Sequence, residues 1–179
     1  MVALVIAICG MPGAGKSIVA EVARELGYRV YSMGDIVRDE AGRLGIDPTP
    51  ANLGMLTLEL RRKEGQAVVA RRLIDKLGEL DAQTVVVEGV RSPEEVEELR
   101  KRFTVTIIAV MSSPETRYSR LKARGRSDDP KDVDEFRQRD QREFDLGIAK
   151  VIKSAQKRVT NETDANTFRR QVRHVLEEM

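Results

Sequence analysis

The sequence predicts an α/β fold in which helices cover both faces of a five-stranded parallel sheet, a three-layer α/β/α sandwich. Three observations predict it. Apolar runs of strand length alternate with segments of helical spacing along the chain. The run 84–88 is β-branched without polar alternation, the pattern of a strand buried on both faces. A glycine-rich loop joins the first apolar run to the first helix, the junction at which open parallel sheets bind ligands. A length of 179 residues suits one domain, 1–179, with small inserted lids.

The elements follow in order. Residues 2–9 form an apolar strand, and 18–27 have helical spacing with a glycine stop at Gly27. A second strand is predicted over 28–33. A helix opens at 34–38 with Asp35 in its first turn, where the helix dipole favours an acid. After the loop 45–50, two helices are predicted, 51–63 and 66–78, and then the strand 84–88. Ser92-Pro93-Glu94-Glu95 starts a helix, with Ser92 as N-cap, proline at the first position and Glu95 completing a capping box. A strand over 103–111 leads to a second Ser-Pro-Glu start at Ser113, whose helix runs to about residue 123. A polar segment, 124–130, precedes an arginine- and acid-rich helix over 131–146. Asp129-Pro130 is a plausible N-cap and first-position pair for it. A further helix over 148–156, a last strand over 157–161 and a terminal helix over 167–178 complete the chain.

The organising stretch is Gly10-Met11-Pro12-Gly13-Ala14-Gly15-Lys16-Ser17, which fits G-x-x-x-x-G-K-[ST], the phosphate-binding loop, and stands between a strand and a helix as that motif requires. Its glycines let successive backbone N–H groups turn inward around a polyphosphate. The helix N-terminus adds a positive end. Lys16 reaches the β- and γ-phosphates, and Ser17 offers its hydroxyl to Mg²⁺. The fold class is therefore the P-loop NTPase sandwich, and the expected cofactors are ATP and Mg²⁺.

Composition narrows the function classes. A net charge of +2 demands neither nucleic acid nor membrane. No tryptophan and few aromatics leave little for base stacking, so a nucleic-acid partner is not favoured. No apolar run is long enough for a membrane span. The apolar start lacks a basic n-region and runs straight into the phosphate loop, so a signal peptide is not expected. The single cysteine, Cys9, sits in a strand and reads as a core residue, which suits a reducing cytoplasm. The lone histidine, His174, reads as a surface residue of the terminal helix. Arg61-Arg62-Lys63, Arg71-Arg72, Arg139 and Arg142 read as solvated helix faces, and Met55 with its neighbouring leucines as core filling.

A phosphate loop, a Gly-Asp-x-x-Arg (34–38), a Gly-x-Arg (89–91) and a Gly-Arg-x-Asp-Asp (125–129), in this order, resemble the nucleoside monophosphate kinases. The adenylate kinase-like branch is the most similar, in particular its compact archaeal relatives of adenylate kinase and dephospho-CoA kinase. The resemblance covers nearly the whole chain and implies an acceptor-binding helical region at about 34–79 and a short lid at about 124–137. It implies that Arg38, beside Asp35, binds the acceptor's phosphate; Met33 stands where the family has threonine. Glu88-Gly89-Val90-Arg91 resembles Asp-Gly-Phe-Pro-Arg, so Glu88 would hold magnesium through water and Arg91 would reach the acceptor phosphate. Glu95 stands where adenylate kinases often carry an adenine-reading glutamine, so AMP specificity does not transfer. On the lid, Arg124, Arg126 and Asp128 match the family pattern, with Asp128 or Asp129 expected either to orient the arginines or to cap the next helix, and Arg137 lies where the following helix supplies another phosphate-facing arginine. Arg120 and Arg124 share one helical face.

The resemblance implies Mg-ATP-dependent phosphoryl transfer to a small phosphorylated acceptor, with a nucleoside monophosphate favoured. Two other readings stay open: a dephospho-CoA kinase-like metabolite kinase, and an ATPase whose nucleotide state switches binding to RNA, a ribosomal particle or a protein. The acceptor, the choice of ATP or GTP and the oligomeric state are not written in the sequence.

Overall fold

The computed structural model describes residues 2–78, 82–126 and 129–179, and the side chain of Pro50 is not described. Five strands, β1 (Leu4–Cys9), β2 (Arg29–Ser32), β3 (Thr84–Glu88), β4 (Thr104–Met111) and β5 (Lys157–Thr160), form one sheet in the order β2-β3-β1-β4-β5. Every pairing is parallel. The register sets Ile8 of β1 between Glu88 of β3 and Ile108 of β4, and Ser32 of β2 opposite Glu88. All five C-terminal strand ends therefore lie along one edge, and the loops leaving that edge build the site.

Period-two alternation sends each central strand's side chains to both faces, and both are covered. Val5, Ala7 and Cys9 join Val85, Val87, Ile107 and Ala109 in one core. Ile6 and Ile8 join Val86, Ile108 and Val110 in the other. The second core is closed by α1 (Lys16–Glu25) and α9 (Ala165–Glu177), through Val19, Val22, Phe168, Val172 and Leu176. The first is closed by α2 (Met33–Arg43), α3 (Pro50–Glu64), α4 (Val68–Gly78), α5 (Pro93–Arg100) and α8 (Ile148–Lys153). The remaining described helices are α6 (Pro114–Arg124) and α7 (Val133–Asp145).

The helix starts obey local chemistry. Ser32, Thr49, Ser113, Asp132 and Asp164 each accept a hydrogen bond from a backbone N–H in the first turn, and Ser92 and Glu95 form the reciprocal capping box. Two expectations fail here. α7 is capped by Asp132 and begins at Val133, so Asp129 is not its cap. Met55 and Leu58 are 64% and 66% exposed, while Leu56 and Leu60 of the same helix are buried. The apolar residues of α3 run nearly all round the helix, so composition there says little about which side faces the core.

Arg61 is the larger surprise. It is buried at 7% and donates to Glu95, itself 1% exposed, across 2.9 Å. Glu95 also accepts from the backbone N–H groups of Arg91 (2.8 Å) and Ser92 (3.3 Å). The capping glutamate thus bolts α3 to the loop that carries Arg91. Neighbouring basic residues are paired as well: Arg72 with Glu64 and Glu40, while Arg71 donates to the carbonyl of Glu64. Among the described residues, Arg61, Arg71 and Arg72 are thus engaged within the molecule and are not simply solvated.

Candidate phosphate-transfer site

The site starts where β1 ends. Gly10 has φ +148, and a β-carbon on it would come within 2.5 Å of the Val110 carbonyl oxygen of the adjacent strand. Gly15 has φ +103, and a β-carbon there would collide with the side-chain amide of Asn161. Both positions therefore require glycine for conformation and for closeness. Asn161, buried at the end of β5, donates from Nδ2 to the Ala14 carbonyl at 2.9 Å and so braces the loop from behind. Lys16 is the first residue of α1, which places the orphan N–H groups of that helix at the mouth of the loop.

Lys16 donates from Nζ to the carbonyl oxygens of Gly10 (2.7 Å) and Met11 (3.2 Å), folding back on its own loop. Burial lowers its pKa to about 8, helped by the nearby Arg91 cation and opposed by the carboxylates of Glu143 and Glu88. A triphosphate would draw the ammonium outward and restore its charge. The sign of the pH effect follows. The free protein loses the gripping proton as pH rises through about 8, so binding above that pH must first take up a proton. Affinity for a non-hydrolysable ATP analogue with Mg²⁺ is expected to be about tenfold weaker at pH 9 than at pH 7. The expected profile in Lys16→Ala is flat, and displacement of a fluorescent nucleotide reads both. The buried Cys9 thiol beneath the loop is pushed up to about 12, which makes it an inert core residue.

A cavity of about 440 Å³ opens over the loop, lined by Gly13, Gly15, Lys16, Ser17, Glu88, Arg120, Arg124, Arg126, Asn161 and Thr163 among others. Gly10, Met11, Pro12 and Ala14 complete the loop behind it. Ser17 and Glu88 face the same space from α1 and from the end of β3. Among the described residues no group of three or more His, Cys, Asp or Glu side chains forms a metal cage. One hydroxyl and one carboxylate suit Mg²⁺, which keeps several waters and takes its other oxygens from phosphates.

The lid side is only partly as expected. Arg120 and Arg124 of α6 both line the cavity. Arg120 donates to Ser112 Oγ and to both oxygens of Asn161. Arg124 makes a two-pronged pair with Asp129, and Arg126 also reaches the cavity while its backbone N–H donates to Asp129 at 3.0 Å. Asp129 is buried, and these arginine contacts hold its carboxyl below the usual range. It organises the lid arginines. Asp128 lies outside the described residues.

Arg137 is not brought to the cavity. Its side chain is 74% exposed and pairs with Asp134 on the outer face of α7. The reason is helix phase: Phe136, Asp140 and Glu143 form the inward stripe, and Arg137 points about 100° away from Phe136. Arg139, which reads as a solvated residue, is the one that turns inward, with Nη1 3.4 Å from Asp129.

Of the two arginines expected to bind an acceptor, Arg38 donates twice to Asp35 and is half exposed, with its guanidinium folded over Gly34. Arg91 lies closer to the phosphate loop. Its Nη1 is 3.3 Å from Glu143 of α7.

Arg117 escapes sequence reasoning because nothing in the motifs marks it. It is buried, forms a bidentate pair with Asp140 (2.8 and 2.5 Å), donates to the Pro12 carbonyl at 3.2 Å and lies 4.9 Å over the Phe136 ring. It ties α7 to the phosphate loop. Asn161 and Glu143 were equally unmarked. Glu162, next to Asn161, fastens the start of α6 through Thr116 Oγ1 and the Ser113 N–H, which lower its pKa to about 2.

Comparison with known proteins places this geometry. Residues 6–144 match the AAA domain family. A UPF0200 protein of Hyperthermus butylicus is 44% identical over 173 residues, covering 97% of this chain and 93% of the relative. Among solved structures, TT1252 from Thermus thermophilus has a TM-score of 0.67 at 24% identity, covering 100% of this chain and 99% of that one. A shikimate kinase from Bacteroides thetaiotaomicron has a TM-score of 0.66 at 15% identity, with 98% of each chain covered. The likenesses to solved structures show a P-loop NTPase α/β fold and nothing finer. The chain belongs to the UPF0200 family and, over residues 6–144, to the AAA domain family.

Proposed function

We propose that this protein is a Mg-ATP-dependent small-molecule kinase whose acceptor is itself phosphorylated, a nucleoside monophosphate being the favoured case. One observation carries the reading. A single cavity gathers the phosphate loop, Ser17 and Glu88, and three arginines of the lid side, while Arg91 stands beside Lys16 on the acceptor side.

An acceptor phosphate oxygen attacks the γ-phosphorus, the bond to the β–γ bridging oxygen breaks, and its electron pair leaves with ADP. The charge spreading over the transferring group needs neutralising more than it needs covalent chemistry. Lys16 and the loop N–H groups hold the β- and γ-phosphates. Arg124, Arg126 and Arg120 close from the lid side and exclude water. Ser17 and Glu88 would hold Mg²⁺, which would supply positive charge against the phosphates. Arg91, with Arg38 further out, holds the acceptor. Arg139 replaces Arg137 as the α7 arginine nearest the lid cluster.

A phosphate acceptor is favoured over a hydroxyl acceptor of the dephospho-CoA type. A hydroxyl needs a base to take its proton, and the carboxylate beside Arg38, Asp35, is held by two hydrogen bonds from that arginine. Both carboxylate oxygens of Glu95 are engaged as acceptors by Arg61 and two backbone N–H groups, and a carboxylate has no donor with which to read a base.

The test is a panel of nucleoside monophosphates and dephospho-CoA, each with Mg-ATP, scored as transfer above the protein's own ATP hydrolysis. Transfer to a monophosphate, lost in Arg91→Ala, is the expected result. Hydrolysis without transfer to any member would overturn the kinase reading.

A further inference from the structure

Glu143 has no part in the transfer outlined above, yet it is a buried acid facing the cations of the site. It lies on the inward stripe of α7 with Phe136 and Asp140. Its Oε1 stands 3.3 Å from Nη1 of Arg91, and its charge reaches Lys16, whose protonated form it favours. Asp140 grips Arg117, which donates to Pro12 of the phosphate loop. Two carboxylates of one helix are therefore set against the two arginines that flank the loop.

The two ties are unequal. Arg117–Asp140 is bidentate, and its side chains are 4% and 13% exposed. Arg91–Glu143 is a single contact, and Arg91 is 49% exposed. A fork of guanidinium donors is better satisfied by two phosphate oxygens at about 2.7–2.9 Å than by one carboxylate oxygen at longer range. The first tie is a fixed anchor; the second is built to be exchanged.

We infer that Glu143 is an internal counterion that keeps the acceptor's place on Arg91 until a phosphate monoester displaces it, while the Arg117–Asp140 pair stays in place. The inference rests on the reading of Arg91 as an acceptor ligand. It makes Glu143 a specificity-determining residue: any anion that binds Arg91 must first outcompete a carboxylate already in place. It also has a sign that a purely structural role does not share. A strut, when weakened, loosens the site; a competitor, when removed, tightens it.

The experiment uses the full chain with Mg²⁺ and a non-hydrolysable ATP analogue filling the phosphate loop, and inorganic phosphate as the probe, titrated calorimetrically. Glu143→Gln keeps the shape and removes the charge, and is expected to bind phosphate roughly two- to fivefold more tightly than the parent chain. In Arg91→Ala phosphate binds more weakly, and adding Glu143→Gln to it produces no further change. If Glu143→Gln does not fold, Glu143→Asp, which withdraws the carboxylate by one methylene, is expected to shift affinity in the same direction. Unchanged or weaker phosphate binding in the Glu143 variants, with Arg91→Ala still damaging, would overturn the inference and leave the acceptor reading standing. Phosphate binding indifferent to Arg91, or absent from every variant, would overturn both.

Discussion

Lys16→Ala is expected to lower phosphoryl transfer by roughly 10²–10³ or more, the size of effect seen when a preorganised donor to the transition state is removed. The structure says why one side chain carries so much. Lys16 leads the first turn of α1, and its Nζ rests on the carbonyls of Gly10 and Met11, within reach of the cavity it lines. With a triphosphate present, those two carbonyls exchange for phosphate oxygens whose charge grows as the γ-group leaves. Alanine leaves the loop N–H groups in place, so nucleotide still binds, more weakly, while the term that strengthens in the transition state is lost. The folded state should not suffer. A lysine whose pKa is depressed from 10.5 to about 8 by burial carries its charge at a cost at pH 7, a cost relieved as pH rises from about 8 towards 10.5. Thermal unfolding of the alanine variant at pH 7 is therefore expected at or above the parent temperature. A large loss of melting temperature would mean that the lysine holds the loop together instead of serving the ligand.

Glu95→Ala is expected to produce the largest loss of stability, about 3–5 kcal/mol. The substitution strands three donors at once: the Arg61 guanidinium, buried at 7%, and the N–H groups of Arg91 and Ser92. Arg61 Nε already lacks a partner in its buried setting, so Glu95 is what compensates that charge. For a chain of 179 residues a loss of this size lowers the melting temperature by roughly 6–20 °C. The pair is not itself a large net gain. Replacing both partners by apolar residues, Glu95→Met with Arg61→Leu, should recover the share of the loss that comes from the stranded Arg61 charge, while the N–H groups of Arg91 and Ser92 still lack their acceptor. Calorimetry on the single and double variants checks both statements. A single variant melting within about a degree of the parent would show that Arg61 finds water or another acid when Glu95 is gone.

The parts of this molecule that were legible in the sequence are those specified locally. The phosphate loop declares itself because one backbone conformation and one cation do its work over eight consecutive residues. The buried β3 and the Ser92 capping box are read the same way, from period and from spacing. What was not legible depends on where helices lie after packing. Arg137 and Arg139 are two positions apart, and the phase of α7 decides between them; that phase is fixed by which side of the helix packs inward, with Phe136 and Glu143 buried. Arg61 looked solvated because α3 is weakly amphipathic, and its acid partner lies 34 residues on, in a capping motif that already explained it. Asn161 carries no local signal at all; its role exists only because the β5 strand end stands beside Gly15. Where α3 exposes Met55 and Leu58, nothing in the structure explains the choice.

The central claim is that residues 10–17 wrap the triphosphate of a magnesium-bound nucleotide. The direct measurement is a calorimetric titration of the folded 179-residue chain with Mg-ATP at pH 7. The account predicts a saturable heat at one nucleotide per chain, much reduced in Lys16→Ala. No saturable heat from a chain that melts cooperatively would contradict it, and the assignments of Glu88, Arg91 and the lid arginines would lose their basis with it.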